Sequence, residues 1–204
     1  MLTWIKNHFN TLCHLQLNTT ITDQQGNLLA IEEGFQRYIQ SVKAIRQHRN
    51  KIMIIGNGGS AGIASHMAID YSKNGRLPAM TFTDASAVTC LSNDYGYEHI
   101  FSKQIEYHGR QGDVLIAISS SGKSKNILNA VTAARSLNCP VITFSGFEAN
   151  NPLSQTGDIN FYIDSKEYGF VEVAHLSLAH AMLDYIIQHE SASQQPSQPQ
   201  MALA

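Results

Sequence analysis

The sequence predicts an α/β protein with a five-stranded parallel sheet covered by helices on both faces, and three observations carry that prediction. Five apolar β-type runs follow one another at 52–55, 79–83, 114–119, 141–145 and 159–164. Helix-compatible segments at 61–73, 98–108 and 124–137 separate most of them, and such alternation is the pattern of a parallel sheet. Two of the runs, 52–55 and 114–118, lead into loops of glycine and serine that open helices.

Taken in order, the opening segment places Trp4, Ile5, His8, Phe9, Leu12 and Leu15 at helical spacing. The stripe of Trp4 and Phe9 reads as helix packing or a subunit contact. A Thr/Asn/Asp/Gly-rich stretch, 18–27, breaks this helix. A second amphipathic pattern spans 28–49, with Ile31, Phe35, Tyr38, Ile39, Val42 and Ile45 on one side. After the strands, a last helix over 168–189 carries Val171, Leu176, Leu178, Ala179, Met182, Leu183 and Ile186. The Ser/Gln/Pro-rich text beyond Glu190 has nothing to bury and reads as a disordered tail. The expected organisation is one domain over 1–190, with N-terminal helices in 1–50 for packing and oligomerisation, and a tail at 191–204.

Composition narrows the function. Over 204 residues, 43% are hydrophobic and 15% charged, as in globular proteins. A formal net charge of −2 offers no basic surface for nucleic acid. Cys13, Cys90 and Cys139 are an odd, widely spaced set with no Cys-x-x-Cys pair, which points to a reducing cytosol. The first residues lack a signal-peptide apolar region, and no run reads as long enough to span a bilayer. A soluble cytoplasmic protein without nucleic-acid or membrane partners is expected.

The two loops point to the ligand. Gly56-Asn57-Gly58-Gly59-Ser60 and Ser119-Ser120-Ser121-Gly122-Lys123-Ser124 each join a strand to a helix start. Free N–H groups and the helix dipole favour an anion there, and serine hydroxyls add donors for phosphate oxygens. In open parallel sheets ligands sit at the carboxyl ends of strands, so both loops can converge on one crevice. Neither loop has Gly-x-Gly-x-x-Gly spacing, and Ala117 stands where a Walker loop needs its first glycine. A phosphorylated small molecule therefore fits better than a nucleotide. Plain alternatives exist for each motif: glycine for turn geometry at Gly58 and Gly59, an N-cap at Ser121 or Ser124, and a turn at Asn93-Asp94.

With the Asn93-Asp94 pair and Gly112-Asp113-Val114-Leu115 before the second loop, these motifs in this order resemble the sugar isomerase (SIS) family, nearest its phosphoheptose isomerases. The likeness covers nearly the whole chain up to about Glu190. It implies a three-layer αβα sandwich, a homotetramer with active sites at subunit interfaces, and conversion of sedoheptulose 7-phosphate to a heptose 7-phosphate for surface polysaccharide. It also implies that Ser119, Ser120, Ser121 and Ser124 hold the phosphate, while Asn57, Gly58, Ser60, Asn93 and Asp94 contact the sugar. Zinc-binding members use a His-x-x-x-Glu pair after the first loop and a Gln and a His on the last helix. This chain has His66 and Asp70, then Glu172 and His180, in those places. Its Asp70 and Glu172 depart from that pattern, and Gly169 stands where an acidic residue is usual.

The residues support that chemistry on their own terms. His66 and Asp70, four apart, share one helix face, and Glu172 and His180 are two turns apart on another helix. Two histidines and two carboxylates suit a zinc-like ion. An aldose–ketose isomerase needs a base beside a carbonyl, and an acid or ion for the enediolate. Asp70 or Glu172 can be the base and His180 the acid. The shorter Asp70 side chain favours Glu172, since a shift near 1 Å can lower a rate about a hundredfold. His175 faces away from this side and reads as structural. Two other functions compete: a non-catalytic SIS protein that binds a protein partner, of the replication-initiator-associating type, and a sugar-phosphate sensor.

Overall fold

The computed structural model describes residues 1–193. In chain order its elements are α1 (Leu2–Leu17), β1 (Thr20–Asp23), β2 (Leu28–Leu29), α2 (Ile31–Ala44), β3 (Ile52–Gly56), α3 (Gly59–Lys73), β4 (Ala79–Thr81), α4 (Ala85–Tyr95), α5 (Ile100–His108), β5 (Val114–Ser119), α6 (Lys125–Ser136), β6 (Val141–Ser145), β7 (Ile159–Tyr162) and α7 (Tyr168–Ser193). Short 3-10 helices cover Ile45–His48, Tyr97–His99 and Leu153–Gln155.

Side chains alternate across each strand, so a sheet covered on both faces needs apolar residues at every position. Ile52 and Ile54 of β3, with Ile116 and Ile118 of β5, enter the core beneath α2, α3 and α7. Met53, Ile55, Leu115 and Ala117 enter the opposite core, beneath α4, α5 and α6. Each of the fully buried isoleucine, leucine and methionine side chains contributes roughly 1.5–3 kcal/mol relative to exposure. The result is the expected three-layer αβα arrangement.

The sheet has seven strands in the order β2-β1-β7-β6-β5-β3-β4, not five, and it is mixed. The strands β4, β3, β5, β6 and β7 are parallel, while β1 pairs antiparallel with both β7 and β2. The 18–27 stretch does end α1, and it also supplies the first strand and the turn of a hairpin. Its turn is built by Asp23, whose carboxylate accepts the N–H groups of Gln25 and Asn27 at 2.9 Å each and the Asn27 amide at 3.0 Å. Ile21 then faces the core at 1% exposure, and β1 covers an edge of β7 that would otherwise be unpaired. Because Leu28 and Leu29 pair with β1, the second helix begins at Ile31, and it closes in a 3-10 turn. Helix α4 was not foreseen; its N-cap Asp84 accepts the N–H of Ala87 at 3.0 Å.

Helix α7 runs to Ser193, into the expected tail, whose remainder lies outside the described residues. One stretch of it, Tyr168–His189, is apolar and long enough to cross a membrane, so the expectation that no run has that length does not hold. Half of its most apolar window is buried inside the fold, as in a core helix.

Candidate active site

Strand order reverses around β3, with β4 on one side and β5 on the other. Ligand crevices form at such switch points, outside the carboxyl ends of the strands. Strands β3 and β5 are direct neighbours, with Gly56 opposite Ile118, so the two serine-bearing loops leave the sheet side by side. Gly56 permits the first turn, since a Cβ there would stand 2.5 Å from the Ser60 backbone. Gly122 shapes the second: its φ is +62°, and a Cβ would collide with Asn151. Asn151 is buried and donates to the Ser145 hydroxyl at 3.1 Å and to the Glu148 carbonyl at 2.8 Å, which holds the loop from below.

Together the loops wall a cavity of about 320 Å³ lined by Asn57, Gly58, Gly59, Ser60, Ser119, Ser120, Ser121, Ser124, Tyr168 and Glu172. Ser124 is the N-cap residue of α6, but its side chain makes no cap hydrogen bond. Its hydroxyl faces that of Ser119 at 3.4 Å instead. Capping alone therefore does not account for the serine loop. The Ser121 hydroxyl accepts the Lys123 N–H at 3.3 Å.

Beside this cavity lies a second one of about 280 Å³, lined by Gly59, Gly62, Ile63, His66, Glu172, Val173 and Leu176. Glu172 lines both. Its carboxylate rests against Gly59, at the amino end of α3, where the helix dipole favours negative charge. The carboxylate of Glu172 thus stands at the first loop, while the second loop presents its serine hydroxyls to the same cavity.

The ligand atoms of His66, Asp70 and His180 all lie within 4.8 Å of one another. His66 Nε2 stands 3.1 Å from Asp70 Oδ2, and His180 Nε2 stands 4.0 Å from the same oxygen. Tetrahedral zinc ligands about 2.1 Å from an ion would be about 3.4 Å apart, a spacing these two distances bracket. Two imidazoles and one carboxylate therefore suit such an ion in chemistry, and the two spacings to Asp70 suit it in distance. Glu172 is outside this group. Asn93 and Asp94 stand on the exposed side of α4, bonded to each other at 2.9 Å, and line neither cavity.

A family model for the SIS domain matches residues 25–146. The phosphoheptose isomerase of Edwardsiella ictaluri is 35% identical over 185 residues, spanning 87% of this chain and 91% of the relative. That of Helicobacter hepaticus is 35% identical over 192 residues, spanning 91% and 93%. This chain belongs to the SIS domain family, among the phosphoheptose isomerases. The solved structure of the phosphoheptose isomerase from Neisseria gonorrhoeae matches this SIS chain with a TM-score of 0.76 at 31% identity, covering 91% of this chain and 98% of that one.

Sequence reasoning did not find Tyr168, which closes the serine cavity from the start of α7 and packs on Phe147 at 4.8 Å between ring centroids. His175 stands in the core, where its Nε2–H donates to the Ser145 carbonyl at 3.0 Å. Burial pushes its imidazole down to about 4.

Proposed function

We propose that this chain is a ketose–aldose isomerase that converts sedoheptulose 7-phosphate to a heptose 7-phosphate in the cytoplasm, for surface polysaccharide synthesis. The observation that carries this reading is the position of Glu172, whose carboxylate lines both the serine cavity and the cavity that holds His66. A sugar anchored by its phosphate on Ser119, Ser120, Ser121 and Ser124 then extends its carbonyl end toward that carboxylate. Asn57, Gly58 and Ser60 flank its path.

In this reading Glu172 is the base. It takes the proton from the carbon next to the carbonyl and returns it to the former carbonyl carbon, while the hydroxyl proton of the first carbon passes to the former carbonyl oxygen, so no net proton is consumed. His66, Asp70 and His180 would hold zinc, which when bound supplies Lewis-acid stabilisation of a negatively charged sugar oxygen. The acid role open to His180 competes with ligation, because its Nε2 is the atom that faces Asp70. Asp70 likewise faces His66 and accepts from Asn74 at 3.2 Å, which favours ligation over base duty. Asn93 and Asp94 keep a sugar-binding role only if they reach the sugar from elsewhere in an assembly. Retention of the base and the three-residue cluster favours an enzyme over a partner-binding or sensing SIS protein.

Purified chain incubated with sedoheptulose 7-phosphate is expected to yield the aldose phosphate, with activity lost on chelation and restored by zinc. Thermal stabilisation by the sugar phosphate without product would replace the isomerase with a sensor. Elemental analysis is expected to find one zinc per chain.

A further inference from the structure

Asn57 lines the serine cavity, yet most of its hydrogen-bonding capacity is already engaged within the protein. Its Nδ2 donates to Asn126 Oδ1 at 2.9 Å, and Asn126 Nδ2 donates back to Asn57 Oδ1 at 2.9 Å. The Tyr97 hydroxyl donates to the same Asn57 oxygen at 3.1 Å. A carboxamide has two acceptor sites on oxygen and two N–H donors. Both acceptor sites of Asn57 are filled and one donor is used. One N–H remains for a ligand.

One partner comes from the helix that follows the second loop, the other from a 3-10 helix bonded to that helix. Asn126 lies in the first turn of α6, two residues after Ser124, and is 2% exposed. Tyr97 stands in the 3-10 helix after α4, which α6 grips through Asn129, donating to the Glu98 carbonyl at 2.9 Å. The reciprocal amide pair thus bolts the first loop to the helix that begins at the phosphate loop. An amide held at three points cannot rotate to offer its oxygen, so it meets substrate as a donor alone.

We propose that Asn126 and Tyr97 are positioning residues that lock Asn57 as a single, fixed hydrogen-bond donor to a sugar oxygen, and that set the distance between the two loops. This rests on the isomerase reading. A preorganised donor stabilises charge that develops on oxygen, so its loss falls on kcat more than on KM.

The test is a set of double-mutant cycles on turnover and on sedoheptulose 7-phosphate affinity. Asn126→Ala is expected to lower kcat/KM about tenfold to a hundredfold, since displacement of a positioned group by about 1 Å has effects of that order. Tyr97→Phe removes one hydrogen bond and is expected to lower it about three- to tenfold. In an Asn57→Ala background neither change should lower it further by more than about twofold, because both act through Asn57. Affinity for inorganic phosphate should be unchanged in every variant. Should Asn126→Ala not fold, Tyr97→Phe carries the same cycle, because that tyrosine is 53% exposed and keeps its ring. Losses that add fully in the Asn57→Ala background, or that fall on phosphate affinity, overturn the proposal while leaving the isomerase intact. A wild-type chain that binds the sugar phosphate without converting it overturns the isomerase reading alone, and the cycle is then read on affinity. A wild type that neither binds nor converts it overturns both.

Discussion

At Gly59 the chain leaves room for the carboxylate of Glu172 and little else, because a Cβ there would collide with both of its oxygens. The colliding group is the end of a flexible side chain, so Gly59→Ala should displace the carboxylate without opening the fold. Alanine also favours a helix over glycine by roughly 0.5–1 kcal/mol. We expect Gly59→Ala to keep or slightly raise Tm while lowering kcat about a hundredfold. If Glu172 is the proposed base, Glu172→Gln should lower kcat by about 10²–10⁴, with zinc content unchanged because Glu172 is outside the candidate metal-ligand group. Loss of zinc in that variant, measured by elemental analysis, would make Glu172 a ligand instead. At this scale the serines and the histidines were legible, because their residue types name their chemistry. Tyr168, Tyr97 and Asn126 were not, because a lone tyrosine or asparagine acquires a role only from what stands opposite it.

Among elements, α7 is tied to the sheet by a buried polar contact. The His175 Nε2–H donates to the carbonyl of Ser145 on β6, while Nδ1 has no hydrogen-bond partner. With the imidazole lowered to about 4 from its ordinary 6.5, the unfolded chain takes up the proton first as pH falls. The contribution is complete above about pH 6.5 and is lost progressively between about 6.5 and 4, reaching about 3 kcal/mol. Wild type should therefore lose about 2 kcal/mol more than His175→Gln between pH 7.5 and pH 5, read from urea unfolding midpoints. An equal loss in both proteins would remove His175 as the cause. The hairpin of β1 and β2 escaped the sequence reading for a physical reason. Four residues and two residues carry too little periodicity to stand out, and the hairpin becomes a strand pair only against the edge of β7.

For the molecule as a whole, α1 is the outlying element: none of its residues is buried, and Leu2, Trp4, Ile5, Phe9 and Leu17 are all exposed. An apolar face of that kind on a 16-residue helix fits a contact between copies better than solvent. If the chain forms the homotetramer that its resemblance implies, Trp4→Glu combined with Phe9→Glu should split it into smaller species in analytical ultracentrifugation. Activity should fall with it if Asn93 and Asp94 reach the sugar from a neighbouring copy. A tetramer that survives both changes would place the interface elsewhere.

The parallel αβα layering and the two loops could be read without coordinates, because buried strands must be apolar on both faces and because glycine and serine at a helix start have a specific chemistry. Only the tertiary structure decided that β3 and β5 are neighbours, so that those loops share one cavity. It alone showed that Glu172 lines both that cavity and the neighbouring one that holds His66. Such facts depend on distances between segments far apart in the chain, 62 residues from Gly56 to Ile118 and more than a hundred from Gly59 to Glu172. Local pattern constrains which element forms, but which elements meet is set by how the whole core packs.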